Sequence, residues 1–448
     1  MNSSYIFHRD LFREHVRIVK GEGVYIYDEH GKRYLDTTGG SNASIPIGHG
    51  VQPVIEAMLE QARKISFVPM HLFSNEPAEK LAEEIAKVAP SGLKTTWFVD
   101  SGSEATENAV KIARQFQVER KTTSKFKIIT RWQSFFGNTL GALGFGGHTY
   151  RRSKFIPLLK DMPHIPPAYC YRCWFNKEYP DCDIDCALFL ERVVKQEGPE
   201  HVAAFIAEPI VGATTGATTP PKEYYPIIRE ICEKYDLIFI ADEVQTGIGR
   251  TGRWFCIEHW GASPDIIATA KGMSGGYTPL GAVIVNDVII DQFRRNKSNY
   301  TGVHTYSANP LSCAIGLAVL RYIASNKLIE KCRDAGAYLM KRLKELQGEH
   351  KIIGDVRGLG LMIGLEFVKN RDTREPYPPE IRLCHVLTEE AKERGALLYP
   401  GSGTADGISG DHVLITPPYI INKDQMDEFV SILDESLRSV EERYPPSR

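Results

Sequence analysis

An aspartate and a later lysine are the residues whose types and setting point most directly to chemistry. Asp242 directly follows the apolar run 237–241, and Lys271 lies further along in a glycine-rich turn. The carboxyl end of a parallel strand is where open α/β sheets bind ligands. A buried carboxylate there is costly unless a cation faces it, and a desolvated lysine amine can attack a carbonyl carbon. The pair therefore predicts a site for a molecule that carries both a carbonyl group and a protonatable nitrogen.

Pyridoxal phosphate has both groups. Its aldehyde forms a Schiff base with a lysine, and its ring acts as an electron sink while the ring nitrogen stays protonated. Lys271 is then the Schiff-base lysine and Asp242 the partner of the ring nitrogen, while Val244 packs on one ring face and Gln245 hydrogen-bonds the phenolic oxygen. The alternative is a surface lysine and an aspartate that caps the next turn.

A serine-glycine-serine segment supplies a candidate phosphate site. Ser101, Gly102 and Ser103 follow the apolar residues 97–99 and precede a helical pattern. Free N–H groups at a helix start bind phosphate, and a glycine allows the anion to come close. Ser101 and Glu104 have the spacing of a capping box. A plain capped helix without a ligand is the alternative.

Two further segments carry candidate contacts to the cofactor. Phe135, followed by Phe136, offers a flat ring that can stack on a heteroaromatic ring, although a core phenylalanine is the commoner reading. Glu208 follows the apolar run 202–207, so it places another carboxylate at a strand end. Glu208 would orient Gln245 or face the substrate; a salt-bridged structural glutamate is the alternative.

The elements that position these residues alternate between strands and helices. Near-continuous apolar runs predict strands buried on both faces at 95–99, 127–130, 202–207, 237–241 and 281–285. Helical patterns lie between them at 79–88, 104–119 and 224–235. Because strands and helices alternate, the fold class is α/β with a mainly parallel sheet covered by helices.

The chain divides into three parts by its pattern. Residues 1–50 form a lead with a hairpin signal, 51–315 the large domain, and 316–448 a smaller α+β domain that shares space with the lead. The last part is predicted to contain a long helix over 317–347, a charged helix over 378–394 and a final helix over 423–443.

A cysteine-rich insertion spans residues 166–187. Four thiolates at this spacing can form a structural, tetrahedral zinc site. Two disulfides, an iron–sulfur centre or four reduced cysteines are the alternatives. The candidate ligands are Cys170, Cys173, Cys182 and Cys186.

Composition excludes several classes of function. The 448 residues carry a net charge of −2 without a dense basic block, so nucleic acid is not an expected partner. No stretch has the apolar length of a membrane span, and residues 1–10 lack the apolar core of a secretory signal. The nine cysteines include an odd one, which favours a reducing cytoplasm.

Six motifs together resemble the class III (ω-type) aminotransferases, pyridoxal-phosphate enzymes of fold type I, related in fold to aspartate aminotransferase. They span nearly the whole chain: SGSEA at 101–105, EP at 208–209, DEVQTGIGRTG at 242–252, AKGMSGG at 270–276, HTYSANP at 304–310 and VRGLG at 356–360. The resemblance implies a seven-stranded sheet, Lys271 and Asp242 as the catalytic pair, and phosphate contacts from Gly102 and Ser103. It also implies that Thr305 reaches the phosphate of a neighbouring subunit, and hence a homodimer with shared active sites; pairing of dimers into tetramers is left open.

Two departures from the family pattern bear on the substrate. Phe136 stands where the family usually has a histidine, so stacking is kept and a polar role is lost. Leu414 stands where many members carry an arginine that binds a substrate carboxylate. The resemblance, with this change, favours an ω-amino acid or amine as donor and a keto acid or aldehyde as acceptor.

Two other functions fit parts of the pattern. A racemase or epimerase would use the same site, since a proton can return to either face of the substrate carbon. A non-catalytic protein on the same scaffold predicts a degraded lysine or aspartate, whereas Lys271 and Asp242 are both present.

Overall fold

The computed structural model describes residues 5–447 and contains three β-sheets with helices packed around them. The expected α/β class is confirmed, with a large mainly parallel sheet and a smaller antiparallel one. The strands are β1 Ile18–Glu22, β2 Tyr25–Asp28, β3 Arg33–Leu35, β4 Leu93–Val99, β5 Lys127–Arg131, β6 His164–Ile165, β7 Val202–Ala207, β8 Ile238–Asp242, β9 Ile266–Thr269, β10 Gly281–Asn286, β11 Ile353–Leu359, β12 Met362–Phe367, β13 Tyr399–Ser402 and β14 Asp411–Ile415.

Seven strands form the central sheet in the order β4-β10-β9-β8-β7-β5-β6. The pairs from β9 through β6 are parallel, whereas β10 runs antiparallel to both β9 and β4. All five strands predicted from apolar runs are present. The reversed direction of β10 and the two-residue strand β6 were not predicted, because an apolar run does not indicate strand direction and two residues make no pattern.

Helices cover both faces of this sheet. On β7, Phe205 belongs to one core cluster together with α7, and the next residue, Ile206, belongs to a second cluster together with α3. This follows from the alternation of side chains along a strand. The helices are α1 Gln52–Lys64, α2 Glu76–Val88, α3 Gly102–Glu119, α4 Leu140–Phe145, α5 Thr149–Arg152, α6 Asp185–Glu197, α7 Tyr224–Lys234, α8 Asp287–Asn296, α9 Pro310–Ser325, α10 Leu328–Glu349, α11 Leu383–Glu393 and α12 Lys423–Arg443.

The single long helix predicted over 317–347 is wrong. The structure has two helices, α9 and α10, which meet at an angle of 64°. Asn326 ends α9, and Lys327 adopts a left-handed backbone with φ of 51°. Since left-handed residues interrupt a right-handed helix, the polar pair marks the break that the hydrophobic pattern alone did not show.

The C-terminal region contains an antiparallel sheet in the order β11-β12-β14-β13, with α11 and α12 packed on each other. The final helix has the predicted bounds, and the charged helix is shorter than predicted, starting at Leu383. Within residues 5–447 no single helix is long and apolar enough to cross a membrane; only the bent pair α9 and α10 meets that criterion jointly.

The N-terminal lead contacts the C-terminal region. The predicted hairpin is present as β2 and β3, with β1 added at its edge. The backbone N–H of Leu35 donates to the carbonyl oxygen of Gly395 at 2.8 Å, and that of Thr416 donates to Thr37 at 2.7 Å. These bonds agree with a lead that shares space with the small domain. The predicted boundary at 315/316 lies inside α9, and the three-part division stays a prediction.

Candidate active site

The site residues lie at one edge of the central sheet because each follows the carboxyl end of a parallel strand. Ser101 follows β4, Phe135 follows β5, Glu208 follows β7, and Lys271 follows β9, while Asp242 ends β8. The antiparallel strand β10 begins at this same edge. Ligands bind at this edge in open α/β sheets, and the sequence-predicted side chains are brought together there.

A cavity of about 330 Å³ opens at this edge. Of the eleven predicted catalytic and cofactor-binding residues, ten line its wall and Thr305 does not. The lining residues are Ser44, Asp100, Ser101, Gly102, Ser103, Phe135, Phe136, Gly137, Asn138, Glu208, Ile210, Asp242, Val244, Gln245, Ala270, Lys271, Ser274, Gly276, Thr278, Pro279 and Leu280.

Lys271 opens a short 3₁₀ helix, Lys271–Ser274, directly after β9. Its backbone has a φ of 45°, a left-handed conformation that costs energy for a residue with a side chain and is found mainly at functional sites. Burial lowers the pKa of Lys271 to about 8, although the carboxyl groups of Asp242 and Glu208, to the extent that they are ionised, oppose that fall. A substantial fraction of the amine is therefore neutral near physiological pH, as a nucleophile or base requires.

Asp242 is 4% exposed at the end of β8. Its Oδ1 accepts a hydrogen bond from the Val244 N–H at 2.9 Å, and its Oδ2 lies 3.4 Å from the Thr106 hydroxyl. Burial raises the pKa of Asp242 to about 7, against the effects of these bonds and of Lys271. A cationic ring nitrogen facing the carboxylate would remove that cost. Thr106 was not predicted, because a threonine inside a helix carries no signal of its own.

The phosphate site is predicted at the start of α3, which follows β4 and is capped by a serine. Ser101 caps the helix by accepting from the Glu104 N–H at 3.2 Å. The capping box is incomplete, since the Glu104 side chain accepts from the Asp100 N–H instead of that of Ser101. A Cβ atom at Gly102 would lie 2.6 Å from the Val244 side chain, so only glycine fits there. The helix start therefore presents N–H groups to the cavity beside Val244.

The two phenylalanines differ in burial. Phe136 is 2% exposed and belongs to the core cluster that contains α3, while Phe135 is half-buried and more open to the cavity. The N–H of Phe135 donates to Glu208 Oε2 at 3.1 Å. Burial and the nearby charge of Asp242 raise the pKa of Glu208 to about 8, so Glu208 is largely protonated at neutral pH. Glu208 thus holds the aromatic loop against the sheet edge.

Gln245 donates a side-chain hydrogen bond to an unexpected partner. Its side-chain amide donates to Asn42 Oδ1, not to Glu208 as the sequence suggested. Asn42 lies in the N-terminal lead and has a φ of 78°. The lead therefore reaches the large domain at the cavity. The only sequence signal was an asparagine next to a Gly-Gly-Ser turn, which indicates a left-handed backbone but no partner.

Thr305 and Leu414 both lie away from the cavity wall. Thr305 is exposed between Val303 and Tyr306, which are 77% and 60% exposed. Leu414 is fully buried in β14, where it pairs with Gly364 and with Tyr399. A side chain at position 414 is enclosed by its sheet, and its apolar character agrees with that environment.

The four predicted metal ligands line one small cavity elsewhere, formed by the insertion and its neighbours: Cys170, Cys173, Cys182 and Cys186. All nine cysteines are free thiols. Burial, with a contribution from the neighbouring thiols, raises the pKa of Cys170 to about 11 and that of Cys186 to about 12. Within the described range, three metal-binding atoms lie within 4.8 Å of one another only at Glu349, His350 and Asp434. The zinc site stays a prediction.

A half-buried lysine, a buried carboxylate, a glycine-opened helix start and a flat aromatic side chain lie around one cavity. These are the groups that pyridoxal phosphate requires. The Aminotransferase class-III family matches residues 8–437, and the chain belongs to this family of pyridoxal-phosphate enzymes. It is therefore an aminotransferase.

Relatives and structures match over almost the full length. The chain is 41% identical to YodT, an uncharacterized aminotransferase of Bacillus subtilis, over 98% of both chains. It is 35% identical to the putrescine–pyruvate aminotransferase of Pseudomonas aeruginosa, over 94% of this chain and 90% of that one. The ω-transaminase of Pseudomonas jessenii in complex with PMP superposes with a TM-score of 0.88 at 30% identity, covering 97% and 94% of the two chains.

Proposed function

We propose that this aminotransferase takes an amino group from an ω-amino acid or amine and passes it to a keto acid or aldehyde. The observation that carries the proposal is the shared cavity of Lys271 and Asp242, with pKa values moved toward neutrality. The relative named putrescine–pyruvate aminotransferase supports a diamine-like donor and a keto-acid acceptor.

The cavity residues divide the binding of pyridoxal phosphate among them. In this proposal the start of α3, with the hydroxyl groups of its serines, binds the phosphate, while Phe135 and Val244 contact the two ring faces. Gln245, oriented by Asn42, donates to the phenolic oxygen. Once bound, pyridoxal phosphate supplies an electron-poor ring that stabilises negative charge on the carbon bearing the amine.

Lys271 and Asp242 then have separate tasks. The Nζ atom of Lys271 removes a proton from the amine-bearing carbon of the substrate, for which a pKa of about 8 is well suited. Asp242 holds the proton on the ring nitrogen by its negative charge, with its orientation fixed by the Val244 N–H. Phe136 and the protonated Glu208 exclude water from the sheet side of the cavity.

Replacement of the lysine tests this assignment. Lys271→Ala should lose the visible absorbance of lysine-bound cofactor and all turnover. Borohydride reduction should no longer attach the cofactor to the peptide that contains residue 271. Lys195→Ala is a suitable control, because Lys195 is an exposed residue whose ion-pair partner among residues 5–447 is Glu191. An active, coloured Lys271→Ala protein would overturn the site.

We also propose a homodimer in which Thr305 binds the phosphate of the partner's site. Exposed apolar side chains surround Thr305, namely Val303 and Tyr306, with Phe67 in ring contact with Tyr306. Sedimentation should give a dimer or a tetramer. Mixing inactive Lys271→Ala subunits with Thr305→Asp subunits should restore activity above the sum of the two, since one site of each mixed dimer is intact. Absence of rescue in confirmed mixed dimers would contradict the shared site.

The remaining proposals concern the insertion and the compartment. Four cysteines around one cavity would hold a structural zinc if the thiols lost their protons and moved closer together. Metal analysis should find about one zinc per chain, and a metal-free protein with four titratable thiols there would exclude the zinc site.

The free thiols fit a reducing compartment, which we propose is the cytoplasm. Cell fractionation checks this.

A further inference from the structure

An arginine that the sequence pattern did not single out lies beside the cofactor cavity. Arg151 is half-buried in α5, and its Cζ atom lies 4.3 Å from the centre of the Phe135 ring. Its Nη2 donates a hydrogen bond to the Tyr399 hydroxyl at 3.2 Å. The guanidinium therefore lies between the aromatic loop of the large sheet and strand β13 of the small domain.

Arg151 lacks an anionic partner in the described part of the chain. It forms no ion pair there, and its Nε is buried without a hydrogen-bond partner. Arg357, whose side chain is 11% exposed, shows the usual solution, since it pairs with Asp355 and Glu366. A partly desolvated cation with free donors is costly, and a planar guanidinium is well suited to a carboxylate. Arg151 thus has an unmet requirement for an anion.

The charge of Arg151 acts on the reacting end of the cavity. Burial is the main cause of the lowered pKa of Lys271, and the positive charge of Arg151 adds to it. Glu208, the carboxyl nearest the aromatic loop, is mostly protonated at neutral pH and so does not neutralise Arg151. An anion bound by Arg151 would therefore lie within electrostatic range of the Lys271 amine.

We propose that Arg151 binds the carboxylate of the amino acceptor, and that Tyr399 is the positioning residue that holds its guanidinium. The inference rests on the proposed function and narrows it, because a carboxylate site selects a keto acid over an aldehyde. It also explains how the site recognises a carboxylate although Leu414 is apolar and buried. A carboxylate-bearing donor would use the same group.

Two small probes separate carboxylate binding from general reactivity. Aminooxyacetate and O-methylhydroxylamine both react with lysine-bound pyridoxal phosphate, and only the first has a carboxylate. In Arg151→Gln the rate constant at low aminooxyacetate concentration should fall about 10- to 100-fold, as for a lost hydrogen bond to a charged group. The rate with O-methylhydroxylamine should change less than about threefold. The rate constant of Arg151→Lys with aminooxyacetate should lie between those of the unchanged protein and Arg151→Gln, because lysine keeps the charge and loses the paired N–H donors of the guanidinium.

The neighbouring arginine supplies a matched control. Arg152 occupies the same short helix but lies over Trp132, with its Cζ 5.7 Å from the ring centre. Arg152→Gln should react with both probes as the unchanged protein does. Tyr399→Phe should slow aminooxyacetate only, and by less than Arg151→Gln.

Steady-state kinetics provide a second test of carboxylate binding by Arg151. Arg151→Gln should raise the KM for pyruvate by a similar factor, with a smaller change in kcat, and leave the KM for propanal nearly unchanged. Equal slowing of both probes, or no slowing of either, would overturn the assignment of Arg151. If the unchanged protein transfers no amino group while the probes still differ, the proposed function fails and the Arg151 site stands.

Discussion

Replacing Asp242 with asparagine should have opposite effects on the protein without and with its cofactor. Asparagine has nearly the same shape, and its carbonyl oxygen can keep the 2.9 Å hydrogen bond from the Val244 N–H. What it removes is a negative charge that is almost fully buried. The apo protein bears the cost of that charge, whereas in the proposed mechanism the holoenzyme uses it to keep the ring nitrogen protonated.

The size of the effect on the apo protein follows from the pKa of Asp242. Burial raises this pKa from 3.8 to about 7, so the ionised form destabilises the folded state increasingly as the pH rises from about 4, and fully above about 7. Three pH units at about 1.4 kcal/mol each give up to about 4 kcal/mol at pH 8. Asp242→Asn does not gain all of this stability. Lys271 loses the negative neighbour that raises its pKa, so the charged form of the Lys271 amine becomes more costly in the folded state.

Chemical denaturation of the apo proteins at pH 5 and pH 8 measures the difference in free energy of unfolding between Asp242→Asn and the unchanged protein. Asp242→Asn should be more stable than the unchanged protein at pH 8, and by a smaller margin at pH 5. As a control, Asp291→Asn, whose side chain is 48% exposed, should change stability by under about 0.5 kcal/mol. The holoenzyme should lose about 100-fold or more in kcat, since breaking a buried charge pair costs about 3 kcal/mol or more. Lower apo stability at pH 8, or a kcat within tenfold of the unchanged protein, would contradict the proposed role of the Asp242 charge.

Two further predictions concern packing and pH. Gly102→Ala should weaken pyridoxal-phosphate binding by about tenfold or more, because its Cβ would lie 2.6 Å from Val244 and overpacking costs about 1–3 kcal/mol; equilibrium titration of the apo protein checks this. His350 is 2% exposed and bonds to Asp434 and Glu441 at 2.8 Å each; although burial opposes its charge, these carboxylates raise its pKa. The stability lost in His350→Gln, measured by denaturation, should be largest below about pH 6.5 and shrink as the pH rises through the raised pKa; a pH-independent difference would contradict the ion pairs.

The positions of Lys271 and Asp242, the proposed catalytic pair, were predictable because strand ends carry a strong local signal. Asp242 and Lys271 each follow an apolar run, and parallel strands bring such ends to one edge. Asn42 and Arg151 were not predictable. Their partners, Gln245 and Tyr399, are distant in sequence, and an isolated polar residue in a loop or short helix shows no periodicity.

The same distinction applies to the fold. The five apolar strands of the central sheet were predicted, since burial on both faces leaves a run that local composition reveals. The break between α9 and α10 was missed because Asn326 and Lys327 interrupt a hydrophobic pattern that otherwise continues. The antiparallel direction of β10 depends on how chain segments connect in space, which no local window contains.

The most direct test of amino-group transfer is the half-reaction. The holoenzyme is mixed with a single amino donor, such as putrescine, without any acceptor, and the visible absorbance of lysine-bound cofactor is followed. Amino-group transfer requires conversion to the pyridoxamine form, and return of the absorbance when pyruvate is added. Unchanged absorbance across a panel of donors, with solvent deuterium entering a substrate, would contradict it and indicate a racemase or epimerase.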